Sequence, residues 1–184
     1  MCCSAQRGWV VVESVRAKIR EVPDFPHEGI LFYDITTVLQ DAEAFHNAVE
    51  VMAAPFRGTG IDAVVAMESR GFIFGTPIAF VLGAGFVPIR KLGKLPADTV
   101  RRAYTLEYGT NTLEMHSDGV LPGQRVLLVD DLLATGGTLA ASLDMVLELG
   151  ATPAAVVVLV ELPALGGRER LAPYGVRVLS FISY

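Results

Sequence analysis

Short apolar runs rich in β-branched residues alternate with helix-like stretches along most of the chain. Such runs are typical of buried strands, and the stretches between them are typical of helices. We predict strands at Ile61–Ala66, Phe86–Arg90, Val126–Val129, Ala155–Val160 and Val176–Phe181. Helices are predicted at Ile73–Leu82 and at Thr138–Leu149, where Gly150 ends the second one.

Strands that are apolar throughout and joined by helices indicate a parallel sheet covered on both faces. The predicted fold class is therefore α/β, with a mostly parallel twisted sheet flanked by helices. The 184 residues contain no repeat or linker, so we expect a single domain over 1–184. Ligands of such sheets bind at the carboxyl ends of the strands.

One long segment between two predicted strands, residues 91–123, departs from this alternation. Within it, Ala103–Leu106 and Thr112–His116 flank a turn at residues 108–111, which predicts a β-hairpin. A long segment at the edge of the sheet where ligands bind is a candidate lid. We place this lid at about residues 92–116.

Composition and charge narrow the class of protein. Hydrophobic residues make up 52% and charged residues 19%, which is typical of a globular chain. The net charge of −5 argues against a nucleic-acid partner but not against a small phosphorylated ligand. The adjacent Cys2 and Cys3 suggest no disulfide or metal site, and a cytoplasmic location fits best.

The uncharged segment from Gly71 to Ile89 is about as long as a membrane-spanning helix. Four glycines and two prolines interrupt it, which favours a helix followed by a strand. We therefore expect no membrane association.

The chemistry of the chain is concentrated after the strand that ends at Val129. Residues Ala134, Thr135, Gly136, Gly137 and Thr138 form a glycine-rich turn that enters a helix. Backbone N–H groups, threonine hydroxyls and the helix N-terminus can converge there on one phosphate. The alternative is an ordinary strand–helix turn with a threonine cap. Neither GxxxxGK[ST] nor GxGxxG occurs.

Two acids, Asp130 and Asp131, precede this turn. Ionised carboxylates accept hydrogen bonds without donating any, so they suit the vicinal hydroxyls of a ribose beside the phosphate. Their field would also stabilise a cationic sugar carbon. A metal site or a capping acid are the alternatives.

These residues carry a family resemblance. The stretch 126-VLLVDDLLATGGT-138 resembles the phosphoribosyl pyrophosphate (PRPP) motif of type I phosphoribosyltransferases. Four more segments, 24–36, 68–75, 90–96 and 104–114, are similar to the adenine phosphoribosyltransferase family. The resemblance implies transfer of the phosphoribosyl group from PRPP to N9 of adenine, giving AMP and pyrophosphate with Mg²⁺ present. It also implies a homodimer and an N-terminal hood at about residues 1–36.

The resemblance assigns roles to individual residues. It places the 5′-phosphate on the loop 134–138 and the ribose on Asp130 and Asp131, and it implies no firm protein ligand for Mg²⁺. Cations near the pyrophosphate would be Arg70, Arg90, Lys91 and Lys94, with Arg90 reaching a neighbouring subunit's site. Phe32 and Leu132 would sandwich the purine, while the backbone of Leu31 and Tyr33 would read its edge.

Glu107 is the candidate catalytic residue, since the family places its counterpart near N7 of the base. Its neighbour Tyr108 is expected among the substrate-binding residues. The chain departs from many relatives at Glu28, where a proline is common, and at Tyr33, where an arginine is common. The departure at Tyr33 leaves base preference open.

Two alternatives remain. The first is transfer to a 6-oxopurine, which needs a hydrogen-bond donor, often a lysine, that the expected base pocket lacks. The second is a PRPP-sensing regulator without catalysis. Regulators of this kind usually add a DNA-binding domain, and the region before Pro23 is too short for a winged helix.

Overall fold

A computed structural model describes residues 10–106 and 109–184, and the side chains of residues 105, 106, 109 and 110 are excluded from the description. The chain divides into two compact units, one that ends at Ala54 and one that runs from Pro55 to Tyr184.

The first unit contains helices and one two-stranded antiparallel sheet. Its elements are α1 (described over 10–16), β1 (Arg20–Pro23), β2 (Leu31–Asp34), α2 (Thr36–Gln40) and α3 (Ala42–Ala53). Helix α3 begins where the Asp41 side chain accepts a hydrogen bond from the Ala44 N–H at 3.0 Å, a side-chain N-cap. Its buried residues include Ala44, Ala48 and Met52, which follow one face at intervals of four residues.

The second unit is built on a seven-stranded sheet with the order β5-β6-β4-β3-β7-β8-β9. Its strands are β3 (Ala63–Met67), β4 (Gly85–Lys91), β5 (Thr99–Leu106), β6 (Gly109–His116), β7 (Arg125–Leu133), β8 (Thr152–Glu161) and β9 (Val178–Ser183). Its α-helices are α4 (Arg70–Leu82), α5 (Gly137–Glu148) and α6 (Gly167–Leu171). Strands β4, β3, β7, β8 and β9 pair in parallel, whereas the hairpin β5–β6 pairs antiparallel.

Burial explains why the central strands lack polar alternation. Every residue of β3 is buried, and so are the last seven residues of β8. Strands that are covered by helices on both faces gain stability from apolar side chains at every position. The helices α4 and α5 connect β3 to β4 and β7 to β8, which are the crossovers that parallel pairing requires.

The α/β class and the mostly parallel sheet flanked by helices are confirmed. Two boundaries differ in an informative way. Helix α4 starts at Arg70, three residues earlier than predicted, and β7 continues through the two acids to Leu133 because Asp130, Leu132 and Leu133 pair with β8.

The predicted hairpin exists, but its turn was misplaced. Gly109 to Asn111 belong to strand β6, where Gly109 pairs with Leu106 and Asn111 with Tyr104. Residues 107 and 108, and with them the Tyr108 of the predicted turn, lie outside the described residues. The prediction failed because Gly109 and Asn111 are typical turn residues that here continue the ladder.

The apolar segment 71–89 forms part of helix α4 followed by strand β4, as predicted. Among the described residues, no helix combines the length and the apolar character that a bilayer crossing requires.

Candidate active site

A cavity of about 470 Å³ opens in the second unit. Its lining combines the ends of β3 and β7 with the start of α5 and part of the hairpin. The lining residues are Glu68, Ser69, Arg70, Lys91, Tyr104, Leu113, Asp130, Asp131, Leu132, Ala134, Thr135, Gly136, Gly137, Thr138 and Leu139. The predicted phosphate loop, the two acids, Leu132, Arg70 and Lys91 are thus brought together at one cavity.

The loop between β7 and α5 has the geometry of an anion site. Gly136 has a φ of 74°, a left-handed conformation that favours glycine, and it is the N-cap of α5. Because glycine has no side chain, the helix does not begin with a threonine cap, and that alternative is wrong. The first N–H groups of α5 therefore have no cap side chain competing with an incoming phosphate.

Asp131 is buried, and its carboxylate lies 2.6 Å from Nε of Arg70, the first residue of α4. The neighbouring Asp130 accepts a hydrogen bond from the Asp131 N–H at 2.9 Å. A Cβ atom on Gly71 would lie 2.9 Å from the Asp130 carboxylate, so only glycine allows the acid to approach the first turn of α4. The two acids are therefore held by the start of α4 as well as by β7.

The electrostatics of the acid pair are unfavourable without a ligand. Burial, followed by the charge of Asp131, raises the pKa of Asp130 well above its usual range, and Arg70 opposes this only partly. A hydroxyl-bearing ligand would supply the acids with further hydrogen-bond donors. Among the described residues, no group of three or more His, Cys, Asp or Glu side chains could hold a metal ion.

The basic residues of the predicted pyrophosphate site divide into two groups. Arg70 and Lys91 line the cavity. Arg90 instead donates hydrogen bonds to Glu68 at 3.1 and 3.2 Å and to the Lys94 carbonyl at 3.1 Å, and neither Arg90 nor Lys94 is among the lining residues. A role for these two in substrate binding stays a prediction.

Strand geometry explains part of this division. Lys91 pairs with Leu113 across the β4–β6 ladder, and both line the cavity. Arg90 pairs with Glu114, and successive strand residues face opposite sides of a sheet. A run of basic residues in the sequence therefore does not predict which of those residues line the cavity.

Five lining residues were not predicted from the sequence: Glu68, Ser69, Tyr104, Leu113 and Leu139. Glu68 and Ser69 follow directly after β3, at the ligand edge of the sheet, and this position was the available signal. Tyr104 and Leu113 come from the hairpin and lie near the cavity only through tertiary pairing. The Glu68–Ser69 peptide bond is cis.

Residues predicted to contact the base lie in the first unit, apart from Leu132. Leu31, Phe32 and Tyr33 form most of strand β2. The Phe32 ring packs edge-to-face on Phe25, with ring centroids 5.1 Å apart, and remains only half-buried. A sandwich of the purine between Phe32 and Leu132 stays a prediction. Glu107 and Tyr108 lie outside the described residues, so their roles also stay predictions.

The chain matches a known protein family over most of its length. The family model described as a phosphoribosyl transferase domain matches residues 36–181. The adenine phosphoribosyltransferase of Symbiobacterium thermophilum is 56% identical over 169 residues, which cover 92% of this chain and 98% of the relative.

Solved structures give the same result. The crystal structure of adenine phosphoribosyltransferase from Thermoanaerobacter pseudethanolicus has a TM-score of 0.89 and 51% identity, with 94% of this chain and 99% of that chain covered. The Saccharomyces cerevisiae enzyme, solved with an imino-altritol bisphosphate and adenine, has a TM-score of 0.88 and 34% identity, with 94% and 98% covered. The chain belongs to the adenine phosphoribosyltransferase family of phosphoribosyltransferases.

Proposed function

We propose that this protein transfers the 5-phosphoribosyl group of PRPP to N9 of adenine, which yields AMP and pyrophosphate. The observation that carries the proposal is the placement of the 134–138 loop and the two acids at one cavity. A sugar that bears a 5′-phosphate presents an anion, which suits the loop, and vicinal hydroxyls, which suit the neighbouring acids. Relatives up to 56% identical are named for this activity.

In the proposed reaction, the bond from the anomeric carbon to pyrophosphate breaks while the bond to N9 of adenine forms, with inversion. The 5′-phosphate binds to the N–H groups at the start of α5, and the ribose hydroxyls donate to the acids. Positive charge that develops on the sugar is stabilised by the carboxylates, most strongly when both are ionised. Arg70 and Lys91 bind the departing pyrophosphate.

The roles of the base-binding residues rest on the family resemblance. Glu107 would stabilise or relay a proton near N7 of the base as N9 attacks. Closure of the hairpin would exclude water, which would otherwise hydrolyse the activated sugar. Leu132 lines the cavity next to the acids, where the base follows the ribose.

Magnesium is proposed to enter with the substrate. In this proposal the ion is held largely by PRPP oxygens and water. When bound, the ion neutralises negative charge on the leaving pyrophosphate. A single domain, a homodimer and a cytoplasmic location complete the proposal, and they rest on the family resemblance and on the adjacent cysteines.

A product assay tests the function directly. Purified protein is mixed with Mg²⁺, PRPP and one base at a time from adenine, hypoxanthine, guanine and xanthine, and the nucleotide is identified by mass. We expect AMP and pyrophosphate from adenine, and at most trace product from the others. Preferred turnover of a 6-oxopurine would contradict the assigned base, and PRPP binding without any nucleotide product would contradict catalysis.

A further inference from the structure

The segment after β8 packs against the back of the phosphate loop. The Leu162 N–H donates to the Leu133 carbonyl at 2.9 Å, which joins the ends of β8 and β7. Gly167, the first residue of α6, then lies directly against the loop. A Cβ atom on Gly167 would be 2.2 Å from the Ala134 carbonyl oxygen and 2.7 Å from Cδ1 of Leu133.

The contact is equally close when viewed from the loop. A Cβ atom on Gly136 would lie 2.8 Å from the Gly167 carbonyl oxygen and 3.2 Å from its Cα. Two glycine backbones thus meet with no space for a side chain on either. Since interiors are close-packed, a shift of one backbone must displace the other.

An ion pair between the buried Glu161 and the half-exposed Arg168 lies next to Gly167. Glu161 ends β8 and is only 4% exposed, and Arg168 donates to its two carboxylate oxygens at 2.9 and 2.5 Å. Arg168 also donates to the Val178 carbonyl at 3.1 Å, and the Ser180 hydroxyl donates to Glu161. A bidentate arginine–carboxylate pair is a directional contact, so it determines where α6 begins.

We propose that Glu161, Gly167 and Arg168 are positioning residues that hold the phosphate loop in its anion-binding conformation from behind. None of the three lines the cavity, so they act through the loop and not on the substrate. Preorganised N–H groups bind a phosphate without the cost of first ordering the loop. This inference rests on the proposed function, because it takes the 5′-phosphate of PRPP as the anion.

The test compares binding of two probes, ribose 5-phosphate and pyrophosphate, by calorimetry. Gly167→Ala is the main variant: Gly167 does not have a positive φ, so a methyl group there acts by collision. Gly85→Ala is the matched control, because its Cβ would meet only the Asp62 carbonyl, at 3.6 Å. We expect Gly167→Ala to weaken ribose 5-phosphate about tenfold, while pyrophosphate stays within about twofold. The control should match the wild type for both probes.

Arg168→Lys keeps the test decisive if Gly167→Ala does not fold. Lysine retains the charge but loses the bidentate geometry, so we expect about a threefold loss of ribose 5-phosphate affinity. In turnover assays, both variants should raise the KM for PRPP more than they lower kcat. A purely structural role would lower the Tm but would leave the KM for PRPP, and the affinity for ribose 5-phosphate relative to pyrophosphate, unchanged.

The outcomes separate this inference from the proposed function. Folded variants that bind ribose 5-phosphate as the wild type does would overturn it, and so would equal loss of both probes. A wild-type protein that does not bind ribose 5-phosphate would overturn the phosphate loop itself. A wild-type protein that binds ribose 5-phosphate but makes no AMP would overturn the function and leave the positioning role intact.

Discussion

Nε of Arg70 lies 2.6 Å from the carboxylate of Asp131, so the first residue of helix α4 is bound to strand β7. The two partners differ in exposure, because the Arg70 side chain is 45% exposed and the Asp131 side chain 8%. An anion that enters the cavity can therefore approach the guanidinium without uncovering the acid. One contact thus joins a half-exposed cation of the cavity lining to a buried acid of the same lining.

Removal of the buried acid should affect catalysis more than folding. We expect Asp131→Ala to lower kcat with adenine and PRPP by about 100-fold, because one acceptor of the ribose hydroxyls and one stabiliser of the sugar cation are lost. Steady-state kinetics and thermal melts measure the two effects. Asp118→Ala removes an exposed acid and serves as the control. A wild-type rate in Asp131→Ala would contradict the sugar-holding role.

Asp130→Asn should stabilise the ligand-free protein while it impairs turnover. Because the folded-state pKa of Asp130 is raised, its stability contribution is present below its ordinary pKa and is lost as pH rises through the raised value. Asparagine remains neutral, so at pH 8 we expect a gain on the order of 1 kcal/mol in the free energy of unfolding. Denaturant titrations at pH 8 and pH 5 should show the gain shrinking at the lower pH. A gain of the same size at both pH values would show that the ionisation of Asp130 is not its cause.

The hairpin β1–β2 should lose stability in acid through Asp34. The Arg20 guanidinium, followed by the N–H and hydroxyl of Thr36, lowers the pKa of Asp34 to about 2. The contribution of a lowered carboxyl pKa is complete above the ordinary value near 4 and disappears as pH falls towards 2. We expect Asp34→Asn to have a lower Tm than the wild type at pH 6 and a nearly equal Tm at pH 2. A difference that persists at pH 2 would show that the charge is not responsible.

Glu114 should stabilise the turn after β4. This buried carboxylate accepts hydrogen bonds from the Lys94 and Leu95 N–H groups at 2.8 and 2.9 Å and lies 3.6 Å from Nε of Arg101. We expect Glu114→Gln to cost about 1–3 kcal/mol in unfolding free energy, because a buried amide N–H₂ replaces an acceptor.

Glu148→Gln is the matched control for this prediction. It neutralises a half-exposed acid that pairs with Arg102 at 2.5 Å, and such surface pairs contribute about 0–1 kcal/mol. Urea titrations of both variants provide the comparison. Equal losses of unfolding free energy in the two variants would contradict the prediction, because burial and the two backbone N–H groups would then add nothing to the contribution of Glu114.

The parts of the molecule that follow from local pattern were predictable. Strand β3 and helix α5 were recognised because uninterrupted apolar runs and a glycine-rich turn are local features. The loop 134–138 and the two acids belong to one continuous stretch, so their proximity required no knowledge of the fold.

What was not predictable depends on contacts between distant segments. Gly167 lies against Gly136, from which 30 residues of sequence separate it. No pattern in the sequence around Gly167 predicts that contact. Tyr104 enters the cavity lining because the β5–β6 ladder places it there. Helix α3 and strand β1 were also not predicted, since the first unit, which ends at Ala54, lacks the strand–helix alternation that guided the other predictions.

The hairpin is joined to the rest of the sheet by far fewer contacts than join its own strands. Eight residue pairs connect β5 to β6, whereas two pairs, Arg90 with Glu114 and Lys91 with Leu113, connect β6 to β4. Amide protons of β5 and β6 should therefore exchange with solvent as one cooperative group, separately from those of β3 and β7. A hairpin paired in this way can shift while its own ladder stays intact, so the proposed lid would need no unfolding of β5 or β6 in order to close.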